Sequence, residues 1–168
     1  MFFELDGGER VLIRPIEPGD KHRLVNGLRQ LSDESIRKRF LAAKPRFRAA
    51  ELRYLTEIDG HNHIALVAVL EDDADQLVAV ARCVRLPDRP ATAEMAIVVG
   101  DPWHGQGLGR ELARRLADAA LAVGVRRFAA TMLGDNEAAR RLMRTFSRRL
   151  EEGRVSGGVR EVLVELAA

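Results

Sequence analysis

"VVGDPWHGQGLGRELARRLADAA" (residues 98–120) joins the end of a strand to the start of a helix through three closely spaced glycines. Val98 and Val99 close a β-rich run, "TAEMAIVV" (residues 92–99), and from Leu108 to about Val123 the apolar residues recur at helical spacing. Between the two lie Gly105, Gly107 and Gly109, spaced two apart. A strand that feeds a Gly-rich turn into a helix collects free main-chain N–H groups at the positive end of the helix dipole, and that suits a phosphate. Two nucleotide motifs are excluded by counting. In G-x-G-x-x-G the last position, counted from Gly105 or Gly107, holds Arg110 or Leu112. In G-x-x-x-x-G-K-[ST], counted from Gly100, Gly105 is followed by Gln106.

Upstream, "RVLIRPI" (residues 10–16) alternates apolar and polar residues and runs into Pro15 and Pro18, the pattern of a strand and a turn. Asp20 precedes a helical run carrying Leu24, Leu28 and Leu31, Ser32 caps a second helix through Phe40, and "RAAELRYLTEI" supplies a third. After Asp59-Gly60, "HIALVAVL" and "QLVAVARCVRL" flank the acidic turn "EDDAD" as a hairpin. Downstream, "RRFAATML" reads as a strand, Asp135-Asn136 as the cap of a helix carrying Ala139, Leu142, Met143 and Phe146, and "VREVLVELA" as a last strand. Strand-helix-strand order around the glycines implies a parallel crossover in a sheet that otherwise grows by hairpins. The class is mixed α/β.

A length of 168 residues suits one domain with a proper core, so residues 1–168 are read as a single unit. The net charge of +2 is spread along the chain instead of gathered in a tail, which describes a solvated surface. Lysine occurs only at 21, 38 and 44; the other basic residues are Arg, suited to planar contacts with phosphates or carboxylates. No aromatic platform or recognition motif points to nucleic acid. Cys83 is the single cysteine, which excludes an internal disulfide and a cysteine-based zinc site. There is neither a membrane-length apolar run nor a signal-peptide pattern, so a cytoplasmic protein is expected.

"HGQGLG" after a strand ending in "VVGDPW" resembles the acetyl-CoA pyrophosphate loop of the GNAT superfamily of N-acetyltransferases, whose usual form is Q/R-x-x-G-x-G/A. Here His104 stands where that family has Gln or Arg, with Gly107 and Gly109 at the glycine positions. The resemblance spans nearly the whole chain. "VLIRPIEPGD", "LSDESIRKRF", "ELRYLTEIDGHNHIALVAV", "AEMAIVVGDPWHGQGLG" and "VGVRRFAATMLGDNEAARRLM" look like bacterial protein lysine acetyltransferases that regulate acyl-CoA synthetases. Those enzymes often carry an extra regulatory or synthetase-like domain, for which 168 residues leave no room.

The resemblance implies a mostly antiparallel sheet with a central parallel strand pair splayed at the cofactor site, and helices on both faces. It implies that Ile97, Val98 and Val99 offer main-chain groups to the pantetheine arm of acetyl-CoA. It places the pyrophosphate on Gly105, Gln106, Gly107, Leu108, Gly109 and Arg110, counts His104 among the cofactor residues at the head of that loop, and has Asn136 reach the cofactor from the next strand-helix turn. An Asn136 that only caps its helix is the competing reading, and the two roles are compatible. Arg110, Arg114, Arg140 and Arg141 are candidates for the CoA 3′-phosphate or for plain surface solvation.

Acetyl transfer needs a neutral amine, and a lysine of pKa about 10.4 is almost wholly protonated at pH 7, so a base must take the proton. Glu94 is the only charge in "TAEMAIVV", where apolar walls would raise its pKa toward the working range of a general base. It also matches the catalytic glutamate of the lysine acetyltransferases; a Glu pointing at water is the alternative. The Tyr that many superfamily members use as acid is replaced by Met143, and Tyr54, the only tyrosine, reads as part of an amphipathic helix. No general acid is assigned. A main-chain N–H near Ile97 is the implied oxyanion donor. "HNH" at His61–His63 lacks a third metal ligand, and Cys83 in an apolar strand reads as a buried hydrophobe.

The expected activity is direct acetyl transfer from acetyl-CoA to a protein lysine, by a monomer or homodimer. A small amine acceptor is the alternative within enzymes, and a silent acyl-CoA sensor is the alternative outside them.

Overall fold

The β-rich runs on either side of the glycine loop lie side by side in the computed structural model, which describes residues 1–44 and 46–167. In chain order the elements are β1 (Phe2–Glu4), β2 (Arg10–Pro15), α1 (Lys21–Gln30), α2 (Asp33–Phe40), α3 (Ala49–Thr56), β3 (His63–Leu70), β4 (Leu77–Leu86), β5 (Arg89–Val99), α4 (Leu108–Ala122), β6 (Arg127–Leu133), α5 (Glu137–Arg144), β7 (Ser147–Glu152) and β8 (Val159–Leu166). Among the described residues, the strands form one sheet in the order β1-β2-β3-β4-β5-β6-β8-β7. Every pairing is antiparallel except β5–β6, whose crossover is α4. The expected mixed sheet with one parallel pair is therefore present. Among the described residues, no helix is long and apolar enough to cross a membrane.

The sheet is covered on both faces, which explains why β3 and β4 are near-continuous apolar runs instead of alternating ones. α4 places Leu108, Leu112, Leu116 and Ala120 on one face, against Ile64, Ala79, Ala81, Ala93 and Met95; Met143 of α5 joins the same core. On the other face, Leu24 of α1 and Leu52 and Leu55 of α3 meet Ala65, Val67, Val69 and Val80. Ser32 caps α2 by accepting from the Ser35 N–H at 3.1 Å, as its position suggested. Asp20 does not cap α1. Its carboxylate, 1% exposed, is drawn back to the two Nη atoms of Arg14, each at 2.7 Å, and to Arg23 at 3.1 Å.

Two strands escaped the sequence reading. β1 is three residues long, and β7, "SRRLEE", lacks an apolar alternation because it forms the sheet edge beside β8. β8 lies between β6 and β7, so the chain passes outward to β7 before returning into the gap.

Candidate active site

β5 and β6 pair only through Thr92–Arg127, Ala93–Phe128 and Glu94–Ala129. Beyond that point β5 stays with β4 while β6 pairs with β8, and the two parallel strands part. The Gly100 N–H donates to the Val78 carbonyl at 2.8 Å. In an antiparallel ladder main-chain groups alternate sides, so Val98 directs its groups to Val80, whereas Ile97 and Val99 direct theirs into the opening. Val98 therefore offers no main-chain group there, contrary to expectation. Ile97 does. The Val99 carbonyl is already engaged, 2.7 Å from His104 Nε2.

The loop after β5 is anchored before it reaches α4. The Trp103 ring lies against Gly100, where a Cβ would come within 2.8 Å of it, and Trp103 Nε1 donates to Glu9 at 3.1 Å. The Gln106 amide is occupied: its Oε1 accepts from the Gly7 N–H at 3.2 Å and its Nε2 donates to the Pro102 carbonyl at 3.1 Å. Gln106 thus ties the loop to the N-terminal turn, which leaves only its main chain for a ligand. Gly105 (φ 72°) and Gly107 (φ 82°) occupy the left-handed region, where a side chain is strained. Gly107 is the α4 N-cap and supplies no side-chain cap. The N–H groups of Leu108, Gly109 and Arg110 therefore have no partner within the helix.

These three residues border a groove of about 470 Å³. It is lined by Ile97, Val98, Val99, His104, Gly105, Gln106, Gly107, Leu108, Gly109, Arg110 and Asn136, all eleven residues expected at the cofactor. Lys38, Arg39 and Arg141 join them, and no carboxylate does. Asn136 caps α5, its Oδ1 accepting from the Ala139 N–H at 3.1 Å. The four arginines raised by the sequence separate here. Arg114 is held by Glu111 and Asp118, and Arg140 by Glu137 and Glu152, while Arg110 and Arg141 line the groove without an ion pair among the described residues. At the parting of the strands a smaller recess of about 90 Å³ runs between Ala96 and Ile97 on one side and Ala130 and Thr131 on the other.

Glu94 stands on the last paired rung before the strands part, but it is exposed. The expected apolar walls are missing because side chains alternate along β5: Ala93 and Met95 go under α4, and Glu94 points to the other face. Met143, where many superfamily members carry the Tyr acid, is buried in the core.

On that other face a second cavity, of about 220 Å³, lies between β4, α1, α2 and α3 and shares Arg39 and Val98 with the first groove. Phe40, Phe47, Leu55 and Val80 form apolar walls, and Arg39, Lys44, Glu51, Tyr54 and Arg82 contribute polar groups. None of these was singled out from the sequence for a site on this face. A signal existed for Arg82, a charge inside the apolar run "LVAVARCVRL", the same signal that picked out Glu94. Arg82 is 6% exposed and its Nη1 donates to the Leu55 carbonyl at 3.1 Å and to His63 Nε2 at 3.0 Å. Burial, followed by the Arg82 charge, pushes the His63 imidazole down to about 4. His63 is thus neutral and accepts from Arg82, with its proton on Nδ1. It is a β3 residue, and among the described residues no cluster of three ligands could hold a metal. Burial pushes the Cys83 thiol up to about 12, consistent with a core residue and not a nucleophile.

Residues 29–147 match the acetyltransferase (GNAT) family. Acetyltransferase Pat of Mycolicibacterium smegmatis is 39% identical over 136 residues, covering 81% of this chain and 40% of its own length. An acetyltransferase of Pseudomonas aeruginosa is 32% identical over 83% of this chain and 73% of its own. The solved GNAT domain of S. lividans PAT superposes with a TM-score of 0.86 at 30% identity, covering 99% of this chain and 96% of that one. The chain thus spans well under half the length of the M. smegmatis protein.

Proposed function

Because the chain belongs to the acetyltransferase (GNAT) family and is an acyltransferase, we propose that residues 1–168 act as one domain that passes an acetyl group from acetyl-CoA directly to an amine, the ε-amine of a protein lysine. The observation that carries this reading is the groove where β5 leaves β6, with an uncapped helix N-terminus and four cations at its side. Acetyl-CoA is the substrate those features suit. Its pyrophosphate meets the N–H groups of Leu108, Gly109 and Arg110, and Arg110 and Arg141 supply countercharge for its phosphates. A protein acceptor is supported by the similarity to the Pat acetyltransferases. A cytoplasmic location belongs to the same proposal, in line with a single, unpaired cysteine.

In this mechanism Glu94 takes the proton from the incoming ammonium. The amine lone pair then attacks the thioester carbonyl carbon, forming the C–N bond. The oxyanion is met by the Ile97 N–H, one of the main-chain groups directed into the opening. Collapse breaks the C–S bond, the amine nitrogen loses its remaining extra proton to water, and the CoA thiolate leaves without a protein acid. A thiol-release assay tests this: Glu94→Gln lowers turnover by roughly 10²–10⁴-fold while acetyl-CoA binding persists. Unchanged turnover in that variant removes Glu94 from the mechanism. Acetyl-CoA binding without turnover of any acceptor by the unaltered protein favours a sensor.

A further inference from the structure

Arg39 and Arg82 share the second cavity without a counter-ion. Arg82 spends Nη1 on Leu55 and His63, while its Nε and Nη2 donate to none of the described residues. Arg39 lies over the Phe40 ring, 4.8 Å from its centroid, and forms no hydrogen bond or ion pair among the described residues. The one carboxylate lining the cavity, Glu51, is held by Lys44 and by the Arg48 N–H at 2.7 Å. Glu94 is felt by Arg39 only through its field, beyond ion-pair distance. Burial pushes both guanidinium groups down, Arg82 to about 10 with the charge of Arg39 as its second cause. Two like charges in a half-closed apolar pocket are unfavourable unless an anion completes the arrangement.

We infer that Arg39 and Arg82 form an anion subsite that holds a carboxylate of the acceptor beside the amine to be acetylated. Planar guanidinium groups match a carboxylate, and Arg39 borders the cofactor groove as well, so a molecule anchored there presents its neighbouring amine toward the parted strands. The carboxylate belongs either to an acidic residue next to an acceptor lysine or to a free amino acid. This rests on the acetyl-transfer reading for its amine, but not for its anion.

Binding separates the two. Titrated by calorimetry, the protein binds N-acetylglycine at least about tenfold more tightly than neutral N-acetylglycinamide, and Arg39→Gln abolishes the difference. Equal binding of acid and amide by the unaltered protein overturns the subsite. So does a preference that survives in both Arg39→Gln and Arg82→Lys; the second variant keeps a donor for the Leu55 carbonyl and guards against loss of fold. Thiol release then identifies the source. Preference for a Glu-flanked lysine peptide over its Gln counterpart places the carboxylate on a protein, and preference for a free amino acid over its α-amide places it on a small molecule. Turnover without either preference overturns the inference. Absence of all turnover overturns the transferase reading, with the subsite still decided by N-acetylglycine.

Discussion

His63 binds fewer protons folded than unfolded. Its pKa falls from an ordinary 6.5 to about 4, so the stability linked to its neutral form is fully present above pH 6.5 and is lost as pH falls from there toward 4. The loss amounts to at most roughly 3 kcal/mol. Thermal melts at pH 7.5 and pH 5 should show it, and His63→Gln should flatten the profile; an equal acid loss in that variant assigns the effect elsewhere. Asp20→Asn should destabilise by about 3 kcal/mol in denaturant titrations, because Arg14 and Arg23 lose a buried partner. Neither partnership was legible in the sequence. "HNH" and "PGD" show only the residue types, and the partners Arg82 and Arg14 are set by strand register. The Asn136 cap was legible, since capping depends on residues three positions apart.

At the N-terminus of α4 the glycines do different work. Gly107 is required by its φ of 82°, so Gly107→Ala should cost about 1–2 kcal/mol of stability with or without ligand. Gly109 is not required by the protein itself: an added Cβ would meet Val99 at 3.7 Å and Leu142 at 3.9 Å, ordinary contacts. Gly109→Ala should therefore keep or raise the ligand-free melting temperature, by helix propensity worth up to about 1 kcal/mol, while weakening acetyl-CoA binding in the groove it lines. Undiminished affinity would show that the ligand does not approach the backbone there. α4 itself ends one residue before its expected limit because its apolar period is strong and local. β7 was invisible for the opposite reason: its pairing with β8 and the ion pairs of Glu152 with Arg140 and Arg160 lie outside its own six residues.

Across the whole molecule, β5, α4 and the α5 cap converge on one groove, which exists only in the folded chain. Acetyl-CoA at 100 times its Kd should add about 2.7 kcal/mol of stability and raise Tm by roughly 5–10 °C. A melting temperature indifferent to acetyl-CoA would contradict the groove as its site. The strand, the glycine loop and the helix were legible because they come from one continuous stretch, and with Asn136 the residues picked from that stretch line a single groove. Folding, by contrast, set three things the residues do not show: Val98 turns its main chain away, Glu94 is exposed, and Arg39 shares a second cavity with Arg82. Those outcomes depend on strand parity and on which helix covers which face, and both are set by packing between segments distant in the chain.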